Sequence, residues 1–198
     1  MSSKDLILGR VRAALADGAE PGAVPREYRR DESIVDLDLL VERLVDYKAV
    51  VHRTSDVAGV VAEIMRPRAE LIVPPGLAVE WLPPTVEART DHGLAADRIA
   101  AADGVLTAST VAIAETGTIV LDGSPDQGRR IITLLPDLHI CVVRPEQVVA
   151  SVPEALARLD PGRPLTWISG PSATSDIELN RVEGVHGPRN LHVIVVED

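Results

Sequence analysis

Apolar residues recur at helical spacing in two stretches of the amino-terminal quarter. Leu6, Ile7, Val11, Ala14 and Leu15 predict one helix, ended by Asp17-Gly18. Leu37, Leu40, Val41, Leu44 and Val45 predict a second, beginning after Ser33. Between them, residues 18–33 carry Pro21, Gly22 and Pro25 with charged residues around Tyr28, the composition of an exposed linker. Residues 1–48 are therefore expected to form a helical arm and linker, and residues 49–198 a compact α/β domain.

The rest of the chain alternates. Short apolar runs predict strands at 49–52, 71–73, 104–107, 118–121, 138–143, 165–168 and 191–196. Helices are predicted from the Ser55-Asp56 cap through Met65, from Pro145 through Leu159, and over 175–182; residues after Pro74-Pro75-Gly76 and before 104 show no regular pattern. Strands separated by helices imply an α/β fold: an open, mainly parallel sheet with helices on both faces. Ligands of such sheets bind beyond the carboxyl ends of the strands.

Composition narrows the function classes. With 198 residues, 45% of them hydrophobic, the chain can bury roughly 70% of its unfolded surface without disulfides or metal. A net charge of −10 repels phosphate backbones, and the few aromatics (two Trp, two Tyr, no Phe) provide no base-stacking platform, so no nucleic-acid partner is expected. The apolar run at residues 134–143 is interrupted by Pro136 and Asp137, and nothing in the chain approaches the roughly 20 apolar residues of a membrane span. The start Met1-Ser2-Ser3-Lys4-Asp5 has no signal-peptide pattern, so a cytoplasmic location is expected. Cys141 is the one cysteine, so the chain cannot supply the thiolates of an iron–sulfur cluster.

Several segments hold groups suited to chemistry. In Ile168-Ser169-Gly170-Pro171-Ser172-Ala173-Thr174-Ser175-Asp176-Ile177-Glu178 a strand leads through a hydroxyl-rich glycine loop into a predicted helix. Free backbone N–H groups there suit a phosphate or carboxylate, with Gly170, Ser172, Thr174, Ser175 and Asp176 as candidates. A capping box between Ser175 and Glu178 accounts for the same residues equally well. The lysine and second glycine of a P-loop are missing. In Gly184-Val185-His186-Gly187-Pro188-Arg189 an imidazole able to exchange protons near neutrality is flanked by glycines, and Arg189 offers a two-pronged donor to an anion; a tight turn is the alternative.

Ala114-Glu115-Thr116-Gly117-Thr118 sets a carboxylate before a glycine turn, where Glu115 is either a nucleophile or base, or a partner of the turn amides. Thr116, Gly117 and Thr118 join the candidate anion site. So does Arg129, in the paired guanidiniums of Asp126-Gln127-Gly128-Arg129-Arg130, unless that pair is simply solvated. Thr107, Ser109 and Thr110 follow a strand end and are placed near the same cleft. His52, His92, His139 and His192 stand singly, with no HxH or HExxH spacing, so no metal is expected. No Gly-x-Ser-x-Gly elbow is present, and Cys141 sits in a buried run, where a thiol is inert. The residues alone lead to an acidic α/β protein with an anion site, not to a reaction.

Four segments, in this order, resemble the lactate utilization protein C (LUD-domain) family. They are Ala112 to Leu121 with its Ala114-Glu115-Thr116-Gly117-Thr118 turn; Leu135-Pro136-Asp137-Leu138-His139-Ile140; Gly170 to Glu178; and Gly184 to Arg189. The resemblance covers roughly residues 45–198. It implies a fold like that of NagB, RpiA and the CoA transferases. It also implies a part in oxidising L-lactate to pyruvate, alongside two partner proteins that carry iron–sulfur clusters, with no cofactor in this chain. Glu115 lies nearest to the thioester-forming glutamate of CoA transferases, but the motif around that residue is absent, and the chemistry is not carried over. The alternative is a stand-alone group-transfer or ligase-like enzyme acting on a CoA, nucleotide or folate-type substrate, with Glu115 and His186 as catalytic candidates. Assembly into a homo-oligomer is left open.

Overall fold

The structure is a computed structural model in which residues 2–16, 22–25, 35–174, 182–183 and 187–197 are described. Helix α1 (Ser3–Leu15) is closed at its start by a capping box between Ser2 and Asp5, and none of its residues is buried. Helix α2 (Leu37–Asp46) starts at Asp36, whose carboxylate accepts the Leu39 N–H at 3.0 Å. Its Leu40 and Leu44 are fully buried among Ala112, Ile119, Val193 and Val195, so this helix, unlike α1, is part of the body's core.

The following elements, in chain order, are β1 (Val50–Thr54), α3 (Val57–Ile64), β2 (Glu70–Val73), β3 (Glu87–Thr90), α4 (Ala96–Ala100), β4 (Gly104–Ala108), β5 (Val111–Ile113) and β6 (Thr118–Leu121). They continue with β7 (Leu138–Val143), β8 (Val148–Val149), α5 (Val152–Arg158), β9 (Thr166–Ile168), β10 (Ala173–Thr174), β11 (Val182–Glu183) and β12 (Asn190–Val196). Among the described residues six strands form the main sheet in the order β1-β12-β7-β4-β2-β3, and each neighbouring pair is parallel. The expected mainly parallel α/β sheet is thus present. Strand β12 lies between β1 and β7.

Its two faces bury different aliphatic sets. Ile140, Val142, Leu106, Leu71 and Ile194 pack with Val57 and Val61 of α3. Cys141, Val143, Leu191, Val193 and Val195 pack with α2 and with a second sheet. Ile99 of α4 meets Ile72, Val105 and Ile132 on that same side. The second sheet, ordered β8-β5-β6-β9, was not foreseen. Residues 114–117 are too few for a parallel crossover, so β5 and β6 pair antiparallel; β9 adds antiparallel to β6, and β8 parallel to β5. Ala155 and Leu159 cover its outer side.

Three expectations need correction. The helix from Pro145 to Leu159 is broken: residues 145–147 form a 3-10 turn, and the buried β-branched pair Val148–Val149 leaves it to extend β5 before α5 begins. The irregular stretch before 104 contains β3, a 3-10 turn at Val79–Trp81 and α4. Most of the helix expected over 175–182 lies outside the described residues, but Val182 is in strand β11, paired with Thr174.

Candidate functional site

The loop after β9 is folded back over the amino ends of β7 and β12. Gly170 has φ +87, and a Cβ there would lie 2.5 Å from the Tyr47 carbonyl oxygen, so the loop rests directly on the end of α2. Gly117 (φ +59) presses the β5–β6 turn against the Arg43 backbone in the same way. The Thr116 hydroxyl donates to Thr118 Oγ1 at 2.8 Å, and Thr118 Oγ1 is 2.8 Å from Ser169 Oγ. At the far end of the loop the Ser172 N–H donates to the Pro188 carbonyl at 2.8 Å.

The hydroxyl-rich bend and the Gly187-Pro188 segment consequently border one cavity of about 270 Å³, closed below by Arg130, Thr133, His139 and Leu191. It opens at the amino ends of β7 and β12, not beyond the carboxyl ends of the main-sheet strands where the topology rule directed attention. The reason is that β9, which delivers the bend, belongs to the second sheet. Ser175, Asp176 and His186 lie outside the described residues, and Thr174 stands in β10. Glu115 and Thr116 are elsewhere, lining a separate hollow with Arg43, Asp46 and Tyr47.

Electrostatics separate the arginines. Arg129 grips the buried Asp91 through Nε–Oδ2 (2.8 Å) and Nη2–Oδ1 (2.6 Å) and also donates to the Leu94 carbonyl. That hydrogen bonding holds the Asp91 carboxyl below the ordinary range. Arg189 does the same to Asp137 through Nε–Oδ1 (2.6 Å) and Nη2–Oδ2 (2.8 Å), lowering that carboxyl too. Arg163 pairs with Asp122 at 3.0 Å. The carboxylates that engage Arg129 and Arg189 lie 38 and 52 residues away in sequence.

Arg130 differs. Its Nη1 donates to Thr133 Oγ1 at 3.0 Å, and that hydroxyl donates back to the Arg130 carbonyl. Among the described residues it has no carboxylate partner. The residue is exposed, and the partial burial that it does have lowers its pKa from the usual guanidinium value. Together with Thr133 and Thr166 it lines both the first cavity and an adjoining one of about 830 Å³, which also contains Arg129 and Arg163.

His139, the second residue of β7, is 1% exposed and its Nε2 lies 2.9 Å from Thr107 Oγ1. Burial, with Arg130's charge in addition, pushes its pKa down to about 3, so the imidazole is neutral at physiological pH. Its Nδ1 has no partner among the described residues. The sequence reading names Arg130 only as the neighbour of Arg129 in the paired guanidiniums and His139 only as a lone histidine, and chooses neither for the site. The available signals were a polar side chain inside the otherwise apolar 138–143 run and the Arg130-x-x-Thr133 spacing of one tight turn.

Other candidates are occupied within the fold. Ser109 Oγ donates to the Val142 carbonyl at 3.1 Å, and Thr110 Oγ1 accepts from Gln127 Nε2 at 2.7 Å. Cys141 is fully buried, and burial pushes its thiol up to about 12. Among the described residues no three His, Cys, Asp or Glu gather to hold a metal ion, and no helix is long and apolar enough to cross a membrane. The cavity's chemistry is therefore that of a cation, hydroxyls and a neutral imidazole around a small space.

A family model for the LUD domain matches residues 81–196. Lactate utilization protein C of Deinococcus radiodurans is 46% identical over 183 residues, covering 89% of this chain and 85% of that protein. The Bacillus licheniformis protein of the same name is 38% identical over 101 residues, or 47% of this chain, and the match spans 42% of that relative's length. A crystal structure of a DUF162 family protein from Deinococcus radiodurans aligns with a TM-score of 0.70 at 41% identity, over 81% of this chain and 96% of that one. By sequence along most of its length and by fold, this chain belongs to the LUD-domain family.

Proposed function

We propose that this chain is a component of a system oxidising L-lactate to pyruvate, that proteins carrying iron–sulfur clusters are its redox partners, and that it takes a small anion in the cavity beneath the β9 loop. The observation that carries this reading is the 46% identity, over nine-tenths of the chain, to a lactate utilization protein C. A lone, fully buried cysteine suits a protein whose electrons are handled elsewhere. The cavity supplies a cation, Arg130, that has no carboxylate partner among the described residues and can meet a charged ligand.

Deleting the gene in its host and growing the strain on L-lactate tests the reading. Growth on L-lactate should be lost, growth on glucose kept, and a plasmid copy should restore the former. A tagged copy should retain iron-containing proteins from lactate-grown cells. Unimpaired growth on L-lactate would refute the proposal.

A further inference from the structure

The geometry points to Arg130 as the anchor for the carboxylate of a small 2-hydroxy or 2-oxo monocarboxylic acid, with His139 meeting the oxygen on the neighbouring carbon. This rests on the reading above that the cavity takes a small anion, and it assigns the charge, the size and the second polar group of that anion.

The charge follows from which guanidiniums are already neutralised. Arg129 is held by Asp91, Arg163 by Asp122 and Arg189 by Asp137. Arg130 is left as one exposed positive charge at the wall of the cavity, with no carboxylate partner among the described residues. A single monoanion restores neutrality there, whereas a phosphate dianion would overcompensate. The guanidinium fork fits a carboxylate through two parallel N–H donors, and Thr133 and Thr166 add hydroxyls beside it.

Size and shape select further. A cavity of about 270 Å³ is below the range that holds drug-sized ligands, so it suits an acid of few heavy atoms. His139 lines the same cavity and is anchored through Nε2 by Thr107, which leaves Nδ1 as a buried polar atom without a partner among the described residues. Such atoms are costly unless hydrogen-bonded. A neutral imidazole nitrogen can donate to a keto oxygen or accept from a hydroxyl, according to tautomer. A simple alkyl carboxylate would fill the space but leave that nitrogen unpaired.

Calorimetric titration of the purified full chain with L-lactate, pyruvate, propionate and inorganic phosphate tests this. Wild type should bind L-lactate or pyruvate at least tenfold more tightly than propionate or phosphate. R130Q should weaken that binding tenfold or more, and R130K should fall between. R66Q makes the same charge change at an exposed residue paired with Asp103, and should bind as wild type does. H139Q, whose longer amide can replace Nε2 on Thr107 while leaving the Nδ1 position empty, should bring L-lactate, pyruvate and propionate to similar affinities. Unfolding midpoints measured in parallel show whether each variant is folded; if R130Q fails to fold, R130K carries the test.

Lactate or pyruvate binding that survives both Arg130 substitutions would overturn the anchor and leave the anion reading standing. Propionate bound as tightly as lactate would overturn the role of His139. Preference for phosphate would overturn the ligand class alone, and binding of none of the four would remove the anion reading and this inference together.

Discussion

Asp91 and Arg129 form a two-pronged ion pair in which the carboxylate is 1% exposed and the guanidinium about half exposed. The same carboxylate accepts the N–H groups of Gly93 and Leu94 at 3.1 and 3.0 Å, so it organises the turn after β3 as well as neutralising its partner. Of two adjacent arginines, one is thereby committed to structure and the other, Arg130, is left facing the cavities.

Replacing Asp91 with Asn should therefore cost about 2 kcal/mol of stability near pH 7, the scale of a charged hydrogen-bond network with one partly solvated member. Because folding lowers the Asp91 pKa, its contribution is present above the unfolded value of about 3.9 and disappears as pH falls through the folded one. Urea midpoints of wild type and Asp91→Asn should begin to converge as pH falls below about 4 and meet once it has passed the folded pKa. A gap that does not narrow on acidification would show that the charge is not responsible.

His139 gives a second pH signature with a different window. Its folded pKa of about 3 lies below the ordinary value of 6.5, so between these values the unfolded chain binds more protons than the folded one. Stability should be fully present above about pH 6.5 and decline as the solution is acidified, at up to about 1.4 kcal/mol per pH unit from this group. In His139→Gln the decline between pH 6 and 4 should be shallower by close to one proton, as read from the pH dependence of unfolding free energy. Parallel profiles would contradict the neutral buried imidazole.

Gly170→Ala should be costly for two separable reasons. The left-handed backbone alone costs about 1–2 kcal/mol for alanine, and the new methyl would meet the Tyr47 carbonyl. Gly93 also has a left-handed φ, but open space surrounds it. Gly93→Ala should show the backbone cost only, and Gly170→Ala about 1–3 kcal/mol more. Equal losses in chemical denaturation would mean that the loop does not bear on α2.

Helices α1 and α2 both carry aliphatics at helical spacing, yet Leu44 is fully buried and Ile7 is 59% exposed. Leu44→Ala should cost about 3 kcal/mol. Ile7→Ala should stay within about 0.5 kcal/mol. Thermal unfolding of the two variants compares them directly.

That pair also illustrates how far sequence reading reached. Spacing marks an amphipathic helix but does not say whether a partner covers it. Strands β6 and β7 are legible to the residue because both faces are buried and the run is almost wholly apolar. Strand β3, reading Glu-Ala-Arg-Thr at a sheet edge, has no apolar run to betray it. Val148–Val149 is too short to interrupt a helical pattern, although its burial does so in space. At the site, the bend and Gly187-Pro188 border one cavity, while His186, the imidazole expected beside the bend, lies outside the described residues. Arg129 and Arg189 looked as available as Arg130, because distant carboxylates leave no local trace.

The position of β12 has a consequence for biosynthesis. His52 and His192 are 140 residues apart along the chain, yet their ring nitrogens come within 3.0 Å across β1 and β12. A ribosome releases β1 first and its neighbour last among the described strands, so the row of hydrogen-bonding groups along β1 must wait for residues 190–196 before it is matched. Such late, long-range closure slows folding and prolongs the exposure of apolar surface during synthesis. A nascent chain stalled before residue 190 would offer that surface to chaperones instead of burying it.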